Sequence, residues 1–342
     1  MKYKTLSFLS GRNMSGNGYV PPYTISDKTV NLISGITEII TEITINDNMN
    51  SNPRLRRDNR VKTIHASLAI ENNSLSLNQV TNIINGKRIL GAPAEICEVK
   101  NAFEAYEKLL LLNPFLQDDM LSTHKVLMKE LTKDAGIFRS AGVGIYTGKE
   151  LVHMAPPAER VPILMGELMD WVKRAEVHPL VKSSVFHYEF EFIHPFADGN
   201  GRMGRMWQTL LLYQWKPLFG WLPIETLIQE RQDEYYKALG ECDRAADSGK
   251  FIEFILQAMY DILTETAGTE QGTEQGSEQV EKLLVVLGSE ELTTKELMAR
   301  VGLKHRPTFR NNYLLPALEL GIVEMTLPDK PNSSKQKYRV VF

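Results

Sequence analysis

Twelve consecutive residues, GTEQGTEQGSEQ at 268–279, repeat with a period of four and contain no apolar side chain. Such a tract has nothing to bury, so the segments on either side must each find a core of their own. It reads as a flexible linker, roughly 20 Å end to end as a random coil. The 342 residues then divide into a body at 1–267 and a smaller unit at 280–342. With 43% hydrophobic and 24% charged residues, the chain has the composition of a globular protein with room for both cores.

Apolar spacing before the tract is helical. TVNLISGITEIITEI (29–43), EICEVKNAFEAYEKLLLL (95–112), RVPILMGELMDWVKRAE (160–176) and RMWQTLLLYQW (205–215) each place apolar residues on one face of a 3.6-residue period. Met165, Met169 and Trp171 belong to such a face and read as core. Between Gly136 and Pro157 the pattern changes to alternation on either side of Thr147-Gly148, which predicts a small hairpin. After the tract, VEKLLVVLG, TTKELMARVG and RPTFRNNYLLPALELG read as three helices, the last with Pro307 in its first turn. Two short strands around a polar tip follow, the order of a winged helix-turn-helix. The fold class is therefore mostly α, a helical bundle with a small hairpin followed by a winged helix-turn-helix domain.

Net charge is −3, which excludes a nucleic-acid-binding polycation as a whole, although residues 281–342 hold ten Lys or Arg against seven Asp or Glu. The two cysteines, Cys97 and Cys242, lack the spacing of a zinc site or a disulfide framework, and a reducing cytoplasm is the expected location. No apolar run approaches the ~18 residues of a membrane span, and the apolar stretch in MKYKTLSFLSG is too short for a signal peptide.

The chemistry concentrates at 194–205, HPFADGNGRMGR. Gly199, Gly201 and Gly204 spell G-x-G-x-x-G, so a dinucleotide-binding turn must be weighed. Phe186, Tyr188, Phe190 and Phe192 alternate as in a strand, yet Val181, Val185, Tyr188 and Phe192 also follow helical spacing, and periodicity leaves both open. His194-Pro195-Phe196-Ala197-Asp198 intervenes before the first glycine, and Arg202 and Arg205 share one helical face, neither of which a dinucleotide turn needs. Read from the residues, this is an anion cradle. Glycine-permitted backbone N–H groups and a helix N-terminus face the anion, two arginines add charge, Asp198 can take a metal, and His194 can accept a proton near neutral pH.

His194, Phe196, Asp198, Gly199, Asn200, Gly201, Arg202 and Arg205 match every specified position of H-x-F-x-D/E-G-N-G-R-x-x-R, and the chain thereby resembles the Fic family. The resemblance implies a helical bundle whose motif loop follows a helix, and transfer of AMP from ATP to a protein hydroxyl. It makes His194 the base and Asp198 the ligand of Mg2+. It gives the phosphates to Gly199, Asn200, Gly201 and Arg202, and the γ-phosphate to Arg205. Phe196 becomes a core anchor, the hairpin at 143–154 a flap that registers the target by strand addition, and Tyr236 and Asp243 candidates for the adenine pocket.

Ser67, Glu71 and Asn72 stand in the order S-x-x-x-E-N within TIHASLAIENNSLS, which alone is a common hexapeptide with a solvated glutamate. Beside the motif it resembles the family's inhibitory helix, near 63–73, with Glu71 pairing with Arg205 and obstructing the γ-phosphate. With the opening YVPPYTIS, the resemblance extends over 19–263. His187 reads as a packed helix histidine, and His65, His124, His153, His178 and His305 as isolated. Arg306, Arg310 and Asn311 on the third helix of the C-terminal unit, with Lys330, Lys335 and Lys337 on the wing, are candidate DNA contacts. The expected partners are a hydroxyl-bearing target protein, the chain itself as a substrate, and DNA, with no membrane. Transfer of another nucleotide, and a nucleotide-sensing DNA-binding regulator without transfer, are the alternatives.

Overall fold

The computed structural model describes residues 18–46, 53–147, 150–288, 290–319, 322–328, 330, 333 and 336–340. The N-terminal stretch read against a signal peptide, and Lys335 of the wing, lie outside them. The chain forms two compact units, Met1–Thr264 and Glu265–Phe342.

The first unit is helical. Helices α1 (Asp27–Asn46), α2 (Pro53–Ile70), α3 (Leu77–Ile84), α4 (Pro93–Leu109) and α5 (Gln117–Leu127) precede a hairpin of β1 (Gly144–Thr147) and β2 (Glu150–Met154). Then come α6 (Val161–Arg174), α7 (Pro179–Ile193), α8 (Asn200–Trp215), α9 (Ile224–Glu230), α10 (Gln232–Ala245) and the start of α11 (Gly249–Leu287). The hairpin is antiparallel, with Gly144 opposite Met154 and Thr147 opposite Glu150.

The run that periodicity left open, 181–192, is the helix α7. Pro179 occupies its first turn, and the His178 imidazole accepts the Leu180 N–H, which starts the helix where proline loses no hydrogen bond. Phe186, His187 and Tyr188 are all buried, as are Ser183 and Ser184. Burial all round explains why no single apolar face stood out: α7 is the central helix of the bundle and packs most extensively on α8.

Residues 268–279 continue α11 as helix and do not form the coil expected from their composition. Glu and Gln are good helix formers, and apolar helical turns on both flanks remove the cost of nucleation. That offsets roughly 1 kcal/mol for each of the three glycines.

In the second unit, α12 (Thr294–Val301) starts at a capping box of Thr293 and Glu296 and ends at Gly302 in the left-handed region. The third helix runs as α13 (Arg306–Phe309), a π-helical stretch (Arg310–Leu314) and α14 (Leu315–Glu319). Strands β4 (Val323–Met325) and β5 (Lys337–Val340) form the expected ribbon. A third strand, β3 (Leu292–Thr293), also pairs with β5, giving the order β3-β5-β4. Two residues are too few to display alternation, so β3 leaves no periodic signal. Leu283, Leu287, Leu297, Phe309 and Ala317 fill this unit's core. No helix among the described residues is long and apolar enough to cross a membrane.

Candidate active site

His194 ends α7 in a left-handed conformation, φ 49° and ψ 62°, and its N–H closes the helix on the Phe190 carbonyl. The motif then turns through Gly199, φ 84°, into the N-terminus of α8. A side chain at Gly199 would be strained there and would strike the Met128 sulfur. The first amide of α8 closed on a carbonyl is Met203, on Gly199. The N–H groups of Asn200, Gly201 and Arg202 have no acceptor among the described residues, which is the helix-start arrangement that receives an anion.

Three side chains fix this loop from inside. Phe196 is fully buried and stacks on His124 with centroids 3.6 Å apart and planes 5° from parallel. Asn200 accepts the Phe196 N–H at 2.8 Å and donates to the Phe196 carbonyl at 2.9 Å. Its side chain therefore holds the loop and is not free for the phosphates, which leaves its backbone N–H for that role. His124 is not isolated, contrary to the reading of its sequence surroundings. Its Nδ1 accepts the Gly136 N–H at 2.9 Å, which places the proton on Nε2, and Nε2 donates to the Asp198 carbonyl at 3.0 Å. Burial pushes its pKa down to about 4, so the neutral tautomer is the one that serves.

Arg139, which no motif marked, clamps the loop from the flap side. Its guanidinium donates to the carbonyls of His194 at 2.7 Å, Ile193 at 3.2 Å, Ala141 at 2.9 Å and Pro156 at 2.6 Å. Its own N–H reaches the Pro195 carbonyl at 2.9 Å. Ala141 and Pro156 flank the hairpin, so one buried guanidinium ties both ends of the hairpin to the histidine. Backbone carbonyls are invisible to sequence reading, and nothing in FRSAG announced this role.

The arginines are both engaged by acids. Arg202 donates to Glu98 and to Asp198, each at 3.2 Å, and Glu98 in turn accepts the Asn73 amide at 2.7 Å. Asp198 is 63% exposed and also accepts the Gly199 N–H at 2.6 Å. Arg205 is buried and faces the end of α2. Its Nη2 donates to Glu71 Oε1 at 2.7 Å and to the Ser67 carbonyl at 2.9 Å, and its Nε donates to Ser67 Oγ at 3.2 Å. The Glu71 N–H closes on Leu68, three residues back, which tightens the turn. Asn72 at φ 69° stops the helix in the left-handed region that Asn tolerates. Arg205 thus caps the negative end of α2 while pairing with its terminal acid. Burial is the largest influence and would lower the Arg205 pKa, but the Glu71 charge, Tyr235, the hydrogen bond to Glu71 and Glu191 together outweigh it and hold the pKa above the usual arginine value.

Tyr236 lies on α10, near enough to Glu71 that burial and then that negative charge raise its phenol pKa. Gln232, on the same helix, donates to the Ile70 carbonyl at 2.9 Å. Asp243 is two turns further along and accepts the Tyr188 hydroxyl at 2.9 Å. Seven residues apart on one helix, Tyr236 and Asp243 share a face. His187 is a packed histidine: Nδ1 bonds Gln208 at 2.7 Å, Nε2 meets the Tyr235 hydroxyl at 3.2 Å, and burial pushes its pKa down to about 3. In the second unit Arg306, Arg310 and Asn311 are exposed along the third helix, and Lys330 and Lys337 are exposed on the wing.

A histidine at a left-handed helix end, a helix start with open N–H groups and a carboxylate from the end of α2 on the second arginine thus meet around one loop. The Fic/DOC family model matches residues 114–212, and the model of the Fic-like C-terminal domain ("Filamentation induced by cAMP protein Fic-like") matches 278–341. The chain is 53% identical to a Fic family protein of Desulfovibrio desulfuricans G20 whose crystal structure covers 94% of this chain and 98% of that one, with a TM-score of 0.73. It is 29% identical over 204 residues to protein adenylyltransferase Fic of Nematostella vectensis, and 28% over 201 residues to protein adenylyltransferase fic-1 of Caenorhabditis elegans. Those matches take in 56% and 54% of this chain and 45% and 37% of the relatives, so the chain spans less than half their length. The structure of C. elegans Fic-1 (residues 134–508) shares the fold at 21% identity and a TM-score of 0.59, with 72% of this chain and 73% of that one covered. The chain belongs to the Fic family.

Proposed function

We propose that this chain is an autoinhibited protein adenylyltransferase, moving AMP from ATP to the hydroxyl of a Ser, Thr or Tyr on a target protein and on itself. The observation that carries the reading is the gathering of His194, Asp198 and an open helix start on one loop, while Glu71 occupies Arg205. The names of the relatives support the same activity.

His194 takes the proton of the target hydroxyl as that oxygen attacks the α-phosphorus. The bond from that phosphorus to the bridging oxygen breaks, and pyrophosphate leaves. There is little covalent work for the protein, so positioning and charge neutralisation dominate. A helix start supplies only about 0.3–1 kcal/mol to an exposed anion, so a polyphosphate needs the arginines as well. Here Arg202 is shared between Glu98 and Asp198, and Arg205 is taken by Glu71. Release of Glu71 frees Arg205 for the γ-phosphate.

Asp198 suits a magnesium ion. Its Oδ1 serves Gly199 and Arg202, while its Oδ2 has no partner among the described residues. Those residues gather no group of three or more His, Cys, Asp or Glu. One carboxylate completed by phosphate oxygens and water is the coordination magnesium prefers. When bound there, the ion would neutralise phosphate charge. Tyr236 and Asp243 would line the adenine, and the hairpin, with one unpaired edge on each strand among the described residues, would register the target as an added strand. Free Cys97 and Cys242 suit a reducing cytoplasm.

Incubating lysate with α-labelled ATP, UTP and GTP in parallel tests the reading. Label from ATP on hydroxyl side chains, located by mass spectrometry, is expected, and transfer from UTP or GTP alone would assign another nucleotide. A second reading, DNA binding by the C-terminal unit, is favoured by the exposure of Arg306, Arg310 and Asn311 along one helix. A salt-dependent gel shift on genomic fragments, lost in Arg306→Ala/Arg310→Ala, is its test.

A further inference from the structure

Arg60 lies in α2, three turns before Glu71, and only 6% of it is exposed. Its guanidinium rests against the rings of Tyr106 at 5.0 Å and Trp221 at 4.8 Å. Aromatic faces attract the cation but accept none of its five N–H donors in a strong hydrogen bond. Among the described residues Arg60 makes no hydrogen bond and no ion pair, and its Nε is buried without a partner. A buried N–H left without an acceptor is unfavourable, and the remaining donors of this guanidinium have no protein acceptor among the described residues. Burial accordingly lowers its pKa, opposed only by the more distant charges of Glu107 and Glu225 after the Tyr106 contribution.

This side chain opens onto a groove of about 340 Å³ lined by Arg56, Arg57, Arg60, Phe103, Glu107 and Trp221. Arg56 lies over the Trp221 ring at 5.1 Å and has no hydrogen-bond or ion-pair partner among the described residues. Arg57 is spent only on Asn85, at 2.6 Å. Three guanidinia therefore face one carboxylate around a partly aromatic floor. The fork of each guanidinium matches the oxygens of a phosphate or a carboxylate. The volume lies at the small end of the range for ligand pockets.

We propose that this groove is a regulatory site for a small phosphate- or carboxylate-bearing molecule, which satisfies Arg60 and holds α2 against the bundle. The three arginines come from α2, whereas Phe103 and Trp221 come from elsewhere in the unit, so the site exists only while α2 is docked. A ligand that binds the docked state alone shifts the equilibrium toward it, by about elevenfold at ten times its Kd. Because Glu71 directly follows α2, occupancy tightens the restraint on Arg205. This consequence rests on the autoinhibited reading above, whereas binding itself does not.

The test uses the full chain, with inorganic phosphate and citrate as probes at constant ionic strength and chloride as the control. The expected results are a raised unfolding temperature and slower amide exchange in α2, produced by phosphate, citrate or both. The better probe identifies the oxyanion. Both effects should vanish in Arg60→Met, which keeps the volume without the charge, and persist in Arg202→Met, which alters the motif. Should Arg60→Met fold poorly, the exposed-side pair Arg56→Gln/Arg57→Gln should weaken binding at least tenfold. The proposal is overturned if neither probe acts beyond the chloride control, or if the effects survive in Arg60→Met. Absence of AMP transfer from the Glu71→Gly chain would instead tell against the proposed activity, since exchange in α2 is read without it.

Discussion

Glu71 and Arg205 meet at 2.7 Å, with the carboxylate lying so close over Gly201 that any side chain there would collide with it. The acid thus covers the helix start and occupies the arginine at once. Ser67 contributes through its hydroxyl and its carbonyl, and only the first can be deleted by mutation. Ser67→Ala removes one hydrogen bond to a charged donor, worth about 1.5–3 kcal/mol at most. It should raise AMP transfer to a rate between those of the parent and Glu71→Gly, measured as label incorporated per unit time.

His194→Ala should abolish transfer while nucleotide still binds, because in the proposed mechanism the imidazole moves the proton and does not hold the phosphates. General-base catalysis contributes about a hundred- to ten-thousandfold. Asp198→Ala should instead weaken magnesium-dependent ATP binding. Calorimetric titration of both variants in the Glu71→Gly background separates the roles, and retained labelling by His194→Ala would remove the histidine from the chemistry.

Arg139→Lys tests the clamp on His194. Lysine keeps the charge but cannot reach four carbonyls with one ammonium group. In the Glu71→Gly background kcat should fall at least about tenfold with KM for ATP nearly unchanged, since displacements of about 1 Å at a reacting group cost up to a hundredfold. Equal losses in both parameters would make Arg139 only a structural residue.

Glu225 gives stability a pH dependence. Burial pushes its pKa up to about 7, with Arg205 and Arg60 opposing, while the unfolded value is about 4.3. A raised folded pKa means that the folded state binds the proton more tightly. Its contribution is complete below about pH 4.3 and is lost as pH rises through 7. Glu225→Gln removes that loss and should gain on the parent between pH 5 and 8, by up to roughly 3 kcal/mol. Urea unfolding at both pH values measures the difference, and a constant gap would deny the titration.

The motif loop was legible because eight residues of fixed type stand at fixed spacing, and the Glu71–Arg205 pair because Ser67 and Asn72 frame the glutamate. The helix α7 was ambiguous because a helix buried on all sides shows no amphipathic period. The supporting shell was not legible. Arg139 acts on backbone carbonyls, His124 reaches Asp198 across 74 residues of sequence, and Glu98 meets Arg202 across 104. Arg60 was equally hidden, since its aromatic neighbours Tyr106 and Trp221 lie 46 and 161 residues away in sequence.

The most direct test of the whole account is AMP transfer by Glu71→Gly against the parent, with α-labelled ATP and magnesium under identical conditions. A partly enclosed charged pair of this kind is worth about 1.5–3 kcal/mol, which corresponds to a factor of roughly ten to more than a hundred. Glu71→Gly is expected to label protein, itself included, at least about tenfold faster, Glu71→Asp to be released only in part, and Arg205→Ala added to Glu71→Gly to return the rate toward the parent's. A Glu71→Gly protein that transfers AMP no faster than the parent would contradict the autoinhibited reading.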